Sequence, residues 1–181
     1  MNDLKLNSFL GIDFGTSREV AKEKLLNREG CIYDEENSKD DVLFFLGLTF
    51  AGRATTFIML LFVNDKFCKS AVYIKPKVDA YAISTYREIK DELNSKYFKT
   101  ADDFELYDDP YEENDGYTET GISIGKVNFS SYWSFPDAND GKEDFISLRI
   151  SEELDIVLNY EDGDLAAEMA NIAKSQNNLD Y

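Results

Sequence analysis

Three apolar runs separated by short polar breaks dominate the first half of the chain and limit what it can fold into. They occupy residues 42–50, 55–63 and 67–74, divided by Ala51-Gly52-Arg53-Ala54 and by Asn64-Asp65-Lys66. Breaks of that length and composition read as hairpin turns, so the runs predict an antiparallel meander. The middle run is the most informative. In it Phe57, Met59, Leu61 and Val63 alternate with Ile58, Leu60 and Phe62, so both faces are apolar and the strand needs cover on two sides. Helices supply one side. The other is met within the chain, by Leu4, Leu6, Phe9 and Leu10 or by a final helix carrying Leu165 and Met169, or else by a partner.

After Pro76 the period changes. Ala82, Tyr86, Ile89, Leu93 and Tyr97 recur at helical spacing and predict a helix over residues 79–98. Earlier, Thr16 and Glu19 form a capping-box pattern that opens a helix over residues 16–29, with Val20, Ala21, Leu25 and Leu26 on one face and Gly30 at its end. Further strands are expected at 117–124, 127–135, 145–150 and 154–160, and a short helix at 164–175 before a fraying tail. In the strand at 127–135, Val127, Phe129, Ser131, Trp133 and Phe135 share one face. The order helix, strands, helix, strands predicts an α+β protein of two tandem helix-on-antiparallel-sheet units. Residues 1–76 form the first unit, 77–162 the second, and 163–181 a C-terminal helix and tail.

Charge separates the halves. Residues 1–90 hold 13 acidic and 13 basic side chains and residues 91–181 hold 23 and 6, so the net charge of −17 belongs to the second half. A phosphate backbone or an anionic lipid surface would be repelled, which argues against nucleic-acid and membrane partners and for a basic protein. With no histidine in the chain, histidine-dependent triads are excluded and the commonest zinc ligand is missing. Cys31 and Cys68 lack a C-x-x-C spacing and read as reduced, buried thiols, with one disulfide expected only on export. The N-terminal residues carry no basic, then apolar, leader pattern, so the chain as written reads as cytoplasmic, or as exported if a signal peptide has been removed.

The string Gly11-Ile12-Asp13-Phe14-Gly15-Thr16-Ser17-Arg18-Glu19-Val20-Ala21-Lys22-Glu23-Lys24-Leu25, followed by apolar strands around an Asn64-Asp65 turn, resembles the superfamily of beta-lactamase inhibitor proteins and the small lipoproteins of outer-membrane assembly. Gly15, Ser17, Val20 and Leu25 match the opening of that pattern, and the resemblance covers about residues 10–75. It departs from the lipoproteins in lacking a lipobox cysteine and in the acidic second half. The resemblance implies a non-enzymatic protein-binding scaffold.

Residues 11–16 also resemble the first phosphate loop of actin-like ATPases, but that fold needs a chain about twice as long and a strand, not a capped helix, after the threonine. Residues 102–119 hold nine carboxylates and no lysine or arginine. Their spacing is wrong for a calcium loop: aligning Gly116 or Gly163 with the loop glycine puts Tyr111 or Leu158 at the first ligand position. A mobile, solvated, metal-free loop is expected there. The functional expectation is a protein-binding or inhibitory module without catalytic residues, cofactor or metal. Asp108, Asp109, Glu112, Glu113 and Asp115 steer a basic partner, and the tyrosines beside them, chiefly Tyr111 and Tyr117, anchor it. Two alternatives are an acidic nucleic-acid mimic or immunity-type protein that neutralises a nuclease, and a hydrolase using paired carboxylates, which requires an apolar pocket.

Overall fold

The computed structural model describes residues 5–136 and 141–177. Eight strands form one antiparallel sheet: β1 (Ile32–Lys39), β2 (Val42–Leu46), β3 (Phe57–Val63), β4 (Lys66–Ile74), β5 (Asp102–Tyr107), β6 (Val127–Phe135), β7 (Asp144–Ile150) and β8 (Ile156–Glu161). Their order across the sheet is β1-β2-β3-β4-β8-β7-β6-β5. Helix α1 (Arg18–Leu26) precedes the first four strands, α2 (Ala82–Lys96) the second four, α3 (Thr118–Ser123) lies between β5 and β6, and α4 (Gly163–Asn177) follows β8. The fold is therefore α+β. Two separate sheets were the expectation, yet the two meanders merge into one, because β4 and β8 pair from Ile74↔Ile156 to Lys69↔Glu161. Neither could stand at an edge. In β8, Ile156, Val157 and Leu158 are consecutively buried, as a strand covered on both faces requires.

Helices α1 and α2 lie on one face of this sheet, and α4 lies on the other. On the first face Leu43, Phe45, Ile58, Leu60, Val72, Leu158, Tyr160, Ile146, Leu148, Phe129, Trp133 and Phe135 make a continuous core with Ala21 and Leu25 of α1 and Ala82, Tyr86, Ile89 and Leu93 of α2. Leu6 and Phe9 enter the same core, Phe9 against Tyr160 at 5.2 Å, so the N-terminal residues do not cover the far face. Leu4 and the last residues of the expected tail, 178–181, lie outside the described residues.

Several local expectations change. Helix α1 has no capping box: Ser17 makes no side-chain cap, and the Arg18 N–H donates instead to Asp65 Oδ1 at 3.0 Å. Asp65 sits in the two-residue β3–β4 loop, where Asn64 and Asp65 both have positive φ, as a type I′ turn requires. The run at 42–50 ends at Leu46, and Thr49–Phe50 pairs with Arg53–Ala54 in a separate small hairpin. The strand expected at 117–124 is the helix α3. Asp115 fixes its approach by accepting from the N–H groups of Glu112 and Tyr117, and Gly121 admits the Tyr111 ring and Val127 where a Cβ would collide. Strands β1 and β5 were not expected at all, and β5 takes up the first third of the acidic segment, which is therefore not a mobile loop there.

Gly30 and Gly47 bracket β1 and β2, both with positive φ, and a Cβ on Gly47 would lie 2.2 Å from the Gly30 carbonyl oxygen. Alanine at 47 thus meets backbone strain and a backbone clash together. Gly47→Ala should lower stability by about 2 kcal/mol or more. A urea titration should show the lower midpoint with an unchanged slope.

Candidate functional site

The register of the strands defines what the face of the sheet away from α1 and α2 presents, helix-free except along one side. One row across it runs Phe57, Tyr73, Val157, Arg149, Ser130, Phe104. The next runs Phe44, Met59, Ala71, Asn159, Ser147, Tyr132, Asp102. A third runs Val42, Leu61, Lys69, Glu161, Phe145, Ser134. Only the third row is overlain by α4. Asn64 Nδ2 donates to Glu168 of that helix at 2.5 Å, and a cleft of about 300 Å³ separates Val42, Leu61 and Val63 from Met169, Ile172 and Ala173. The expected cover by Leu165 and Met169 is thus partial.

The first two rows remain accessible at their large side chains. Phe44, Phe57, Met59 and Tyr73 are half-buried, and their rings form a strip: Phe57 stacks on Tyr73 at 4.3 Å and meets Phe44 at 5.6 Å. Ala71 and Val157 are buried beneath these neighbours. Towards β5 the surface becomes small and polar, at Ser147 and Asn159, before Tyr132 and the exposed Phe104 and Leu106. The cation of these two rows is the exposed Arg149, and Asp34 beside Phe44 and Asp102 beside Tyr132 stand at the two edges.

The expected site residues occupy the connection from β5 to α3. Asp108, Asp109, Glu112, Glu113 and Tyr117 are exposed there. Asp115 is half-buried and turned onto backbone, and Tyr111 is half-buried with its ring on Gly121, so neither is a free contact residue. The loop and the aromatic strip are at opposite ends of the sheet, since β5 and β3 are separated by β4, β8, β7 and β6.

On the helix side, a polar network ties β5 to α2. Buried Tyr86 shares a hydrogen bond of 2.5 Å with Ser131, Ser131 Oγ donates to Asp103 at 2.8 Å, and Lys90 donates to the other Asp103 oxygen at 2.8 Å. Arg87 holds Glu105 at 3.0 Å. Burial pushes the Asp103 carboxyl up, yet the hydrogen bonds from Lys90 and Ser131 outweigh it and leave the group below the usual range. Glu92 is also lowered, by its hydrogen bond from Arg53. Burial raises the Tyr86 phenol. The arrangement is a closed set of satisfied partners without a space for substrate.

Other candidate chemistry is likewise committed to structure. In residues 11–16, the Gly15 N–H donates to Phe67 O, the Phe67 N–H donates to Thr16 O and the Thr16 N–H donates to Asp13 O, so the amides a phosphate would need are in use. Both cysteines are free. Burial pushes the Cys68 thiol up to about 12, and Sγ lies 3.3 Å from Leu61 O. Among the described residues no group of three or more acidic or thiol side chains is placed to hold a metal ion, and no helix is long and apolar enough to cross a membrane. Comparison with known proteins finds no matching family model, curated protein or solved structure.

Because the folded-state pKa of Asp103 is depressed, its contribution to stability is present above the ordinary aspartate value of about 3.9 and is lost as pH falls through the folded value. Lys90→Met removes a hydrogen bond that lowers the group and keeps the burial that raises it. The Asp103 carboxyl, followed by carbon NMR, should then titrate at higher pH, and acid unfolding should begin earlier. An unmoved titration would show that Lys90 does not hold it.

Proposed function

We propose that this chain is a non-enzymatic protein-binding module that receives a basic protein on the helix-free face of its sheet. The observation that carries the reading is the aromatic strip Phe44, Phe57 and Tyr73 with Met59, half-buried on a face that α4 covers along one side only. Aromatic and methionine side chains held by neighbours on a sheet lose little freedom when a partner covers them, which is the profile of interface anchors. Their apolar area gives affinity. The charge gives encounter: net −17 over the chain, with Asp34, Glu35 and Glu36 on one edge strand and Asp102, Asp108, Asp109, Glu112 and Glu113 on and beyond the other, favours a cationic partner and speeds its arrival.

The resemblance to the beta-lactamase inhibitor proteins supports the same reading. So does the chemistry of three carboxylates among the described residues: Asp103, Glu92 and Glu153 are lowered, whereas a paired-carboxylate hydrolase needs one raised. A nucleic-acid mimic calls for acid spread over one continuous face. Here the acid lies at the edges and loops, and the two open rows between them are apolar and small polar around the single cation Arg149.

Mass spectrometry of proteins retained on the immobilised chain at low salt supplies the partner. Phe44→Ser combined with Tyr73→Ser should then weaken binding by about thirtyfold or more through faster dissociation. Neutralising Asp108, Asp109, Glu112 and Glu113, and leaving Asp115 on its backbone partners, should slow association and flatten its salt dependence while dissociation changes little. Unchanged affinity in the serine variant would refute the open face as the contact.

A further inference from the structure

The two edges of the sheet are not alike. At β1 the pairing with β2 shifts register between Asp34 and Lys39. The interruption is a local loop: Asp34 accepts from the Asn37 N–H at 3.2 Å and from its side chain at 2.7 Å, and Ser38 Oγ donates to Asp34 O and accepts the Phe44 N–H. A bulged, acidic strand of this kind is a blunted edge that resists pairing with another chain.

Strand β5 lacks that protection. It pairs with β6 in unbroken register from Asp102↔Tyr132 to Tyr107↔Val127, with no bulge and no proline. The Asp108 N–H donates to Lys126 O, and this fixes the phase of the antiparallel ladder. Phe104 and Leu106 therefore direct their backbone groups to β6, and Asp103, Glu105 and Tyr107 direct theirs outward. The acidic side chains that would repel an incoming strand are already paired from α2, Asp103 by Lys90 and Glu105 by Arg87. On the opposite side of the strand, Phe104 and Leu106 are 41% and 57% exposed, with Phe104 edge-on to Tyr132 at 6.2 Å.

We infer that β5 is a pairing edge that takes an extended segment of a protein partner as a ninth strand, one whose residues alternate between apolar and basic. The alternation follows from the register. Residues opposite Phe104 and Leu106 fall on the helix-free side and extend that apolar pair, while those between them fall beside the Asp103 and Glu105 carboxylates. Basic side chains are specified by what lies at the end of the strand, where exposed Asp108, Asp109, Glu112 and Glu113 follow Tyr107 directly. The same charges oppose a second copy of this chain, since two such edges would bring those carboxylates together.

The test uses the full chain and a short peptide alternating valine and lysine, with a control of the same sequence whose backbone amides are N-methylated throughout. The unmodified peptide should slow amide exchange at Asp103, Glu105 and Tyr107 by about tenfold or more, and leave the already bonded Phe104 and Leu106 amides unchanged. The methylated control keeps the charge, loses the donors, and should give no such protection. Glu105→Pro removes an outward N–H that β6 does not use, which an edge strand tolerates, and should abolish the effect. Equal binding of the methylated peptide would reduce the contact to electrostatics and overturn the inference. So would protection confined to the 108–117 connection or to the Phe44 strip, or protection of β5 that rises with protein concentration in the absence of peptide.

Discussion

The pairing of β4 with β8 is the interaction on which the rest of the molecule depends. Each strand ends its own meander, and each has apolar side chains on both faces, so either one left at an edge would expose a ladder of backbone groups together with Val72, Ile74, Ile156 and Leu158. Fully burying such side chains is worth about 1.5–3 kcal/mol each, and the seam buries them against both helices at once. Joining the meanders there puts α1 and α2 over one continuous core and places both acidic strands, β1 and β5, at the outside. At β1 the charge costs little and discourages sheet-to-sheet association, which gives the acid of that strand a structural use before any partner is considered.

A sheet eight strands wide has more apolar surface than these four helices cover. The helix side is filled. On the other side α4 reaches only the row of Val42 and Leu61, and its placement leaves Phe44, Phe57, Met59 and Tyr73 half-covered. Twist and close neighbours bury the small residues Ala71 and Val157 without help, so the surface that stays open is concentrated in four large side chains at the β2–β4 end. The molecule thus separates the contributions to recognition: apolar anchors on the open face, charge along the rims, and a regular backbone edge at β5.

Much of this architecture was legible in the chain. Ala82, Tyr86, Ile89 and Leu93 repeat at helical spacing and are all buried in α2, and the alternation of Val127, Phe129, Ser131, Trp133 and Phe135 matches the buried face of β6. The positive-φ turn at Asn64-Asp65 was equally readable. Strands β1 and β5 were hidden because an edge strand bonds on one side and its charged side chains erase the apolar alternation. Helix α3 was hidden because Tyr117, Thr118, Ile122 and Ile124 favour a strand locally, and what decides for the helix is tertiary contact that periodicity does not encode: Asp115 holding the turn and Tyr111 seated on Gly121. That same contact is why Tyr111 looked like a free anchor and is not one. For the candidate site, the two apolar faces of residues 55–63 called for cover on both sides, from within the chain or from a partner, but how much stays open depends on how far α4 extends.

The account stands or falls on the seam making one cooperative unit of the two meanders. Trp133, the sole tryptophan, reports on the second meander through its fluorescence, and amide exchange at Leu43 and Leu60 reports on the first. Measured across one denaturant series, the two probes should give the same unfolding free energy and the same dependence on denaturant, as expected when neither meander persists alone. A fluorescence transition completed while the Leu43 and Leu60 amides remain protected, or the reverse, would mean that the halves fold independently and that the β4–β8 pairing does not hold the sheet together.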